Sequence, residues 1–519
     1  MIFRILQLIG YLVLLLGIRD FLQEYNYKRN AKKHGCKVPV YVQEFPFGIP
    51  AVWRMRRAND KHRVLQYLNY QFICRQKYTA RFQTLFKKKI ITIEPDNLKT
   101  VLSTSFKDYS LGVRHPQLMP LLGNGIFTLS GDGWKHSRQM LRPQFSREQV
   151  SQLHSLNIHV QNLVNLFKTR SNKATTSDSY FDCQEPFHNL TLDTATEFLF
   201  GESTNSLLDY SLTDKQVIQE TKVTPLQFAH AFNDCLKYLT LRTQVSDLYW
   251  LVDSWKFRKS IKTVHKFVDY FVSQSLKSER QTIDSDEDEI RYVFMTELAK
   301  ETRDPIVIRD QALNVLLAGR DTTASLLSFT IFELGINKRV WYKLRDIVLE
   351  EFGTSPGTLT FENLKRCQYL SSVIHEVLRL HPSVPLNFRE AIRDTVLPKG
   401  GGEDESESIL VEEGTMVVYS VHVLHRLKRF WGEDANSFNP ERWEASHLHT
   451  WDYLPFNGGP RICIGQQFAL TEASFALVRI LQEFKDVELD PDIKDPDIAQ
   501  TVKLTTSSAG GIPVRFLVR

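Results

Sequence analysis

Apolar residues recur at spacings of three and four along most of the chain, which is the pattern of helices with one buried face. The clearest helical segments are Glu148–Lys168, Gln227–Tyr238, Lys256–Lys277, Ile308–Asn337, Val340–Phe352, Leu370–Leu380 and Gln466–Phe484. Strand-like alternation is confined to short segments, namely Ile90–Ile93, Ile409–Val411 and Thr415–Ser420. The pattern predicts one large, mainly α-helical domain with small β-sheets at its edge.

The N-terminus departs from this amphipathic pattern. The run Ile5–Ile18 is almost wholly apolar, and basic residues such as Arg19, Lys28 and Lys32 follow it. A bilayer span needs about 20 residues, with about 17 as the lower edge, and flanking positive charge marks the cytosolic side. We expect a membrane anchor over residues 1–20, a basic, proline-containing linker over 21–50 and a cytosolic main domain over 51–519. A cleaved signal peptide and a helix lying on the membrane are the alternatives, although no small-residue cleavage site follows the run.

Composition narrows the class of protein. The 519 residues are 42% hydrophobic and 24% charged with a net charge of +5, which is typical of a folded globular protein. No zinc-finger spacing or dense arginine stripe occurs, so nucleic acid is not an expected partner. The six cysteines lie far apart without a CxxC pair, which argues against a disulfide framework or a structural zinc site. No GxGxxG turn follows a strand and no Walker loop occurs, so electrons for any redox reaction must come from outside the chain.

One cysteine stands in an unusual setting. Five residues have the spacing FxxGxRxCxG within the stretch FNGGPRICIG, namely Phe456, Gly459, Arg461, Cys463 and Gly465. Glycines before Cys463 let backbone N–H groups turn toward its sulfur, and the start of a helix favours a thiolate. Gly465 lets that helix approach a flat group closely. A buried structural cysteine needs none of these features, so the pattern indicates a thiolate ligand.

The stretch FNGGPRICIG resembles the haem-binding loop of the cytochrome P450 monooxygenases. The resemblance implies the P450 fold, haem as the cofactor and Cys463 as the axial ligand of its iron, where a thiolate favours O–O bond cleavage. Trp134 and Arg138 match the WxxxR pair that contacts the haem propionates in this family, and Arg461 matches the loop arginine with the same role. Arg389 is expected to be a further propionate contact.

Two other motifs of the family occur upstream of the cysteine. Glu376 and Arg379 in HEVLRLHP, with Arg442 in NPERW, match a buried Glu-Arg-Arg clamp of structural rather than catalytic role. Taken alone, an (i, i+3) pair is typical of a surface ion pair.

The stretch LLAGRDTTASLL lies inside a long helical pattern, although Asp321 and Thr322 are poor residues for a helix interior. A threonine hydroxyl can bond the carbonyl four residues back, here that of Ala318, and loosen the helix. The resemblance implies that Asp321 and Thr322 deliver protons to bound oxygen. The alternative is a helix kinked for packing. The pair His422 and His425 has metal-ligand spacing, but its place in the sequence favours packing or surface histidines.

Longer segments resemble the yeast branch of the family that hydroxylates alkanes and fatty acids. These are LGVRHPQLMPLLGNGIFTLSGDGWKHSRQMLRPQFSREQV, LLAGRDTTASLLSF, HPSVPLNFREAIRDTVLPKGGG and WDYLPFNGGPRICIGQQFALTEASF. The resemblance implies hydroxylation of the terminal carbon of n-alkanes or fatty acids, the first step of their assimilation. It also implies an anchor in the endoplasmic reticulum membrane and electrons from an NADPH-dependent flavoprotein reductase.

Two other functions stay open at this point. One is a sterol or xenobiotic hydroxylase of the same superfamily, and the other is a non-catalytic haem sensor, which would not need Asp321 and Thr322. The segments expected to wall the substrate channel are Leu111–Phe127 and, by analogy with the family, Ser383–Asn387 and Thr505–Ala509, with core packing as the alternative for each. The basic residues expected to face an acidic reductase are Lys135, Arg142, Lys428 and Arg429.

Overall fold

Helices make up most of the chain in the computed structural model, which describes residues 2–42, 48–84, 87–146, 153–172, 180–208, 223–278, 293–444, 451–493 and 498–518. The first nine are α1 (Ile2–Lys33), α2 (Ile49–Asp60), α3 (Val64–Arg75), α4 (Pro95–Lys99), α5 (Arg114–Leu122), α6 (Gly131–Leu141), α7 (Leu153–Asn172), α8 (Gln184–Phe200) and α9 (Pro225–Gln244). The others are α10 (Trp255–Ser278), α11 (Phe294–Glu301), α12 (Pro305–Ile336), α13 (Lys338–Phe352), α14 (Phe361–Arg366), α15 (Gln368–Leu380), α16 (Val421–Leu424), α17 (Lys428–Trp431) and α18 (Gln466–Glu483).

The strands are short and form small sheets. They are β1 (Val40–Val42), β2 (Thr79–Thr84), β3 (Lys87–Thr92), β4 (Tyr109–Ser110), β5 (Phe181–Asp182), β6 (Leu386–Ala391), β7 (Thr395–Gly401), β8 (Glu407–Val411), β9 (Met416–Ser420), β10 (Phe484–Leu489), β11 (Gln500–Val502), β12 (Thr506–Ser508) and β13 (Pro513–Val518). The largest sheet has the order β1-β2-β3-β9-β6-β4, and a second has the order β10-β13-β5. Two further antiparallel pairs join β7 to β8 and β11 to β12.

Helix α12 is the central element of the fold. Asp304 caps it by accepting hydrogen bonds from the backbone N–H groups of Ile306 and Val307, and Pro305 occupies its first position. Its C-terminal half joins an apolar core with α7, α8, α13, α15 and α18, and its N-terminal half joins another with α5, α9, α10 and α11. Because both faces of α12 are covered, a polar residue in its middle must meet either a partner or a space between the two cores.

The helices and strands expected from the sequence are confirmed to within a few residues, with one gap. The segment expected to begin at Glu148 is helical from Leu153 onward, and residues 147–152 lie outside the described part of the chain. The mainly helical class with small sheets is likewise confirmed.

Helix α1 runs without a break through residue 20, where anchor was expected to give way to linker. Its C-terminal half is bonded to the sheets: Tyr27 donates to the backbone oxygen of Leu410 at 2.9 Å, and Arg81 donates to Glu24 at 2.8 Å. Its N-terminal half carries exposed apolar side chains, including Phe3 and Leu15. None of the helices in the described ranges combines the length and the apolar character needed to cross a membrane.

Candidate active site

A tight loop positions Cys463 ahead of α18. The backbone N–H of Cys463 donates to the backbone oxygen of Phe456 at 2.9 Å, and that of Ile462 donates to Gly459 at 3.0 Å. Gly459 has φ of +66°, and a Cβ there would lie 1.9 Å from the backbone oxygen of Leu102. The glycine is therefore required by both its conformation and its close contact with the neighbouring chain.

The surroundings of the Cys463 sulfur differ from the expectation in one respect. The backbone N–H that hydrogen bonds the sulfur belongs to Gly465, two residues after the cysteine, and not to the glycines before it. Burial raises the pKa of the Cys463 thiol, while the Gly465 hydrogen bond and the charge of Arg138 act in the opposite direction. The protein alone therefore favours the thiol, and the thiolate requires the metal, since a coordinating thiol is deprotonated by its ion.

Cys463 nevertheless faces open space. Its side chain is solvent-accessible even though protein atoms surround it closely enough to disfavour its ionisation. Because the sulfur is accessible although protein atoms surround it, it lies on the wall of a cavity. A Cβ on Gly465 would meet Phe145 at 3.7 Å, an ordinary contact, so the packing of the described residues does not itself exclude a side chain there.

Trp134, Arg138 and Arg461 meet at one edge of this site. The guanidinium of Arg461 lies 4.4 Å from the centre of the Trp134 ring and donates to the backbone oxygen of Leu129 at 2.9 Å. Arg138 donates to the backbone oxygen of Ile462 at 2.9 Å and so joins α6 to the cysteine loop.

Two more arginines complete a cluster of positive charge. Burial is the main cause that lowers the pKa of Arg461 to about 9. The positive charges of Arg389, Arg114 and Arg138 lower it further. Burial and Arg389 likewise lower the pKa of Arg114 to about 10. Arg389 was expected here, whereas Arg114 was not, because it lies in a segment whose apolar residues indicated only a channel wall.

This cluster fits the propionates of haem. Like charges gathered in a buried place stabilise a bound anion and otherwise repel one another. Arg389 is only 3% exposed, and its Nε has no hydrogen-bond partner among the described residues. The arginines, the space beside Gly465 and the accessible sulfur of Cys463 together suit a flat group with an iron centre and two carboxylates.

Glu376, Arg379 and Arg442 form the expected clamp, and it is buried. Arg379 donates from Nε and Nη2 to the two carboxylate oxygens of Glu376 at 2.9 and 2.8 Å. Arg442 donates from Nε to Glu376 at 2.9 Å, and the Trp443 indole donates to the same carboxylate at 3.0 Å. The alternative of a surface ion pair is wrong, because Glu376 and Arg379 have no exposed surface.

Asp321 and Thr322 lie where α12 meets open space. Both are partly accessible, although most residues around them on the helix are buried. The Thr322 hydroxyl donates to the backbone oxygen of Ala318 at 2.7 Å, as expected. The helix nevertheless remains continuous from Pro305 to Ile336, so the alternative of a kink for packing has no support in these residues.

The charges around Asp321 keep it ionised. Burial opposes ionisation of the carboxyl group, but the charge of Arg320 and the nearby His188 outweigh it and lower the pKa of Asp321. Lys503 contributes in the same direction. His188 of α8 was not predicted, since no sequence motif links it to α12.

The two histidines with metal-ligand spacing are packing residues. His425 is fully buried, accepts from the backbone N–H of Leu454 at 2.8 Å and contacts the backbone oxygen of Arg379 through its other ring nitrogen. His422 is also buried and contacts the guanidinium of Arg426. Within the described ranges, no group of three or more histidine, cysteine, aspartate or glutamate side chains is placed to hold a metal ion.

Comparison with known proteins agrees with this geometry. The family model for Cytochrome P450 matches residues 44–512. The chain is similar to Cytochrome P450 52E1 of Candida apicola, with 50% identity over 502 residues that cover 95% of this chain and 94% of the relative. It is 50% identical to Cytochrome P450 52-E3 of Starmerella bombicola over 500 residues, covering 95% and 94% of the two chains. It is 44% identical to Cytochrome P450 52A3-A of Candida maltosa over 510 residues, covering 96% and 93%. These matches confirm the resemblance seen in the loop around Cys463, and the chain belongs to the cytochrome P450 family.

Proposed function

We propose that this P450 monooxygenase hydroxylates the terminal carbon of n-alkanes or fatty acids with electrons from an NADPH-dependent flavoprotein reductase. The reaction is RH + O2 + 2 e− + 2 H+ giving ROH + H2O. One structural observation supports the monooxygenase function: the Cys463 loop and the Asp321–Thr322 pair both border open space in the same fold. The substrate class rests on the sequence segments shared with the yeast alkane and fatty-acid branch.

The residues around the cofactor have separable roles. When bound, haem held by Cys463 supplies the activation of dioxygen. Arg114, Arg138, Arg389 and Arg461 would hold its carboxylates, with Trp134 packed against Arg461. The Thr322 hydroxyl donates a hydrogen bond to the backbone oxygen of Ala318, which leaves its own oxygen lone pairs free to accept a hydrogen bond from a water or a ligand.

Terminal selectivity requires a narrow apolar channel, because terminal C–H bonds are stronger than those of the neighbouring methylenes. The three segments expected to wall it all reach α12. Leu118, Leu121 and Leu122 belong to the core that includes the N-terminal half of α12. Ser383 donates to the backbone oxygen of Thr322 at 3.0 Å, and the backbone N–H of Thr506 donates to that of Ser383 at 3.0 Å. These contacts support a substrate path that ends beside Thr322.

The proposed reductase partner has a candidate surface. A groove of about 570 Å³ opens beside Cys463, and Arg142 is among its lining residues. An acidic flavoprotein would meet positive charge there, a short distance from the cofactor. Arg429, by contrast, is paired with Glu94 at 2.9 Å and stacked on Tyr78, which makes it less available than the sequence suggested.

The proposed location is the endoplasmic reticulum membrane, with the N-terminal segment as anchor and the catalytic domain in the cytosol. Exposed apolar side chains on the first half of α1 support it, since Phe3, Tyr11, Leu14, Leu15 and Ile18 are between 49% and 73% exposed. The basic residues that follow, such as Arg19 and Lys28, favour the cytosolic side.

Reconstitution with a reductase and NADPH on a panel of n-alkanes, fatty acids, sterols and xenobiotics tests the proposal. We expect terminal alcohols from alkanes or fatty acids. Products hydroxylated mainly within the chain would contradict terminal selectivity, and turnover confined to sterols or xenobiotics would contradict the substrate class. A carbon monoxide difference spectrum of the reduced protein checks the ligand separately, because an imidazole-type spectrum would contradict thiolate ligation by Cys463.

A further inference from the structure

Asp321 has a histidine partner on a different helix. His188 Nδ1 lies 3.5 Å from Asp321 Oδ1 at ion-pair distance, and this nitrogen is buried without a hydrogen-bond partner among the described residues, whereas 28% of the His188 side chain is exposed. Helix α8 carries His188 and Ala195 seven residues apart on one face, and Ala195 lies closest to Gly319 of α12. The packing of the two helices therefore places His188 beside Asp321, the acidic member of the Asp321–Thr322 pair.

An ionised Asp321 needs a source of protons. A carboxyl group whose pKa lies below its ordinary value holds no proton to give at neutral pH, so it must receive one before it can pass one on. The other positive groups acting on it are Arg320, whose Nη1 donates to Asp321 at 3.2 Å, and Lys503 from the turn between β11 and β12. Guanidinium and ammonium groups keep their protons at neutral pH, whereas imidazole exchanges them in this range.

We propose that His188 positions the Asp321 carboxylate and passes protons from water to it. His188 acts through Asp321 and is therefore a positioning residue. The inference rests on the proposed role of Asp321 and Thr322 in monooxygenation. In each transfer, imidazolium Nδ1–H gives its proton to the Asp321 carboxylate, and the neutral imidazole takes another proton from water. Two such protons are consumed for each alcohol formed.

A purely structural tie between α8 and α12 is the rival explanation, and it makes different predictions. A glutamine at position 188 can keep a polar contact with Asp321 but has no ring proton to exchange. If the contact only holds two helices together, H188Q should behave as the wild type. If His188 relays protons, H188Q should fold and bind haem normally yet use oxygen less productively.

The test compares the full-length wild type, H188Q, D321N and the double variant, each bound to haem and reconstituted with reductase and NADPH. The control is H154Q, which changes an exposed histidine on α7. The measurements are alcohol formed per NADPH, hydrogen peroxide released, the solvent deuterium isotope effect and the pH dependence of coupling.

We expect H188Q to form less alcohol per NADPH, release more peroxide and show a larger solvent isotope effect. The loss should be smaller than the roughly 100-fold that marks removal of a direct proton donor. Coupling in the wild type should depend on pH in a way that coupling in H188Q does not, because glutamine has no ring proton to exchange with water. H188Q should add nothing in the D321N background, because both changes interrupt one route.

Equal coupling, isotope effects and pH profiles in the wild type and H188Q would overturn the proposal. So would additive losses in the double variant. A wild type that binds haem through Cys463 but forms no alcohol would instead contradict the proposed function, so the two failures are distinguishable.

Discussion

Arg379 lies against Glu376 in a two-point contact, Nε to Oε2 at 2.9 Å and Nη2 to Oε1 at 2.8 Å, with neither side chain exposed. Water cannot reach either charge unless the protein opens. The Arg379 and Glu376 charges therefore stabilise each other in place of water. The same carboxylate also receives Arg442 and Trp443, which links α15 to the segment that precedes the cysteine loop.

Replacing Glu376 should therefore be severely destabilising. E376Q leaves the Arg379 charge buried without its counter-charge, and we expect a loss of about 3–5 kcal/mol in the free energy of unfolding. Denaturant unfolding and haem retention measure it. The control is R339A, because Arg339 pairs with Glu441 at 2.7 Å but is 67% exposed, and its loss should cost less than about 1 kcal/mol. Similar costs for the two variants would contradict the buried clamp.

Gly459 should tolerate no side chain. In G459A the new Cβ would overlap the backbone oxygen of Leu102, so the loop must move and take Cys463 with it. We expect loss of haem binding by absorbance together with lower thermal stability. Gly353 has a similar φ of +64° but nothing within 4 Å of its Cβ position, so G353A isolates the conformational cost of about 1–2 kcal/mol. Normal haem binding by G459A would show that the loop can shift without losing its ligand.

Single changes in the arginine cluster should have opposite effects on the haem-free and haem-bound protein. R114Q or R389Q removes a charge that repels Arg461, so the haem-free protein should be no less stable than the wild type. Haem affinity should fall roughly tenfold or more, since a charge-assisted hydrogen bond contributes about 1.5–3 kcal/mol.

Haem transfer to a competing acceptor measures the affinity of these variants. The control is R393Q, because Arg393 is 65% exposed and paired with Asp108 on the surface, and its affinity should match that of the wild type. Unchanged affinity in R114Q would remove Arg114 from the haem site.

Glu472 of α18 should make stability depend on pH. Burial raises its pKa from 4.5 to about 7, although a hydrogen bond from Thr194 opposes the shift. The folded state therefore holds this proton up to about pH 7, whereas the unfolded state releases it near 4.5. Stability contributed by this site should fall as pH rises between these values, by about 3 kcal/mol in total.

E472Q should remove that dependence, because glutamine keeps the shape and cannot ionise. Its stability relative to the wild type should rise between pH 4 and pH 8 in urea unfolding. E483Q should show the opposite sign: burial opposes ionisation of Glu483, but its contacts with Lys168 and Arg479 lower its pKa, so its loss should cost most at neutral pH. A flat difference between wild type and E472Q would mean that the carboxyl group is ionised when folded.

The sequence predicted the parts of the site that lie within one short segment. In each of these parts, the residues lie close together in sequence on one loop or one helix face. The parts are the Cys463 loop, the pair Glu376 and Arg379, and the pair Asp321 and Thr322. Arg114 and His188 escaped prediction because tertiary packing alone brings them in. Arg114 begins a helix that otherwise contributes apolar side chains, and His188 reaches Asp321 only because α8 packs against α12.

Helix α1 has 32 residues, which corresponds to a rod about 48 Å long. Its contacts with the catalytic domain fall in its C-terminal half, where Glu24 pairs with a nearly buried Arg81 and Tyr27 stacks against the same guanidinium. A rod fastened at one end cannot swivel as a flexible tether would. Whatever holds the free end of α1 therefore also fixes the orientation of the catalytic domain.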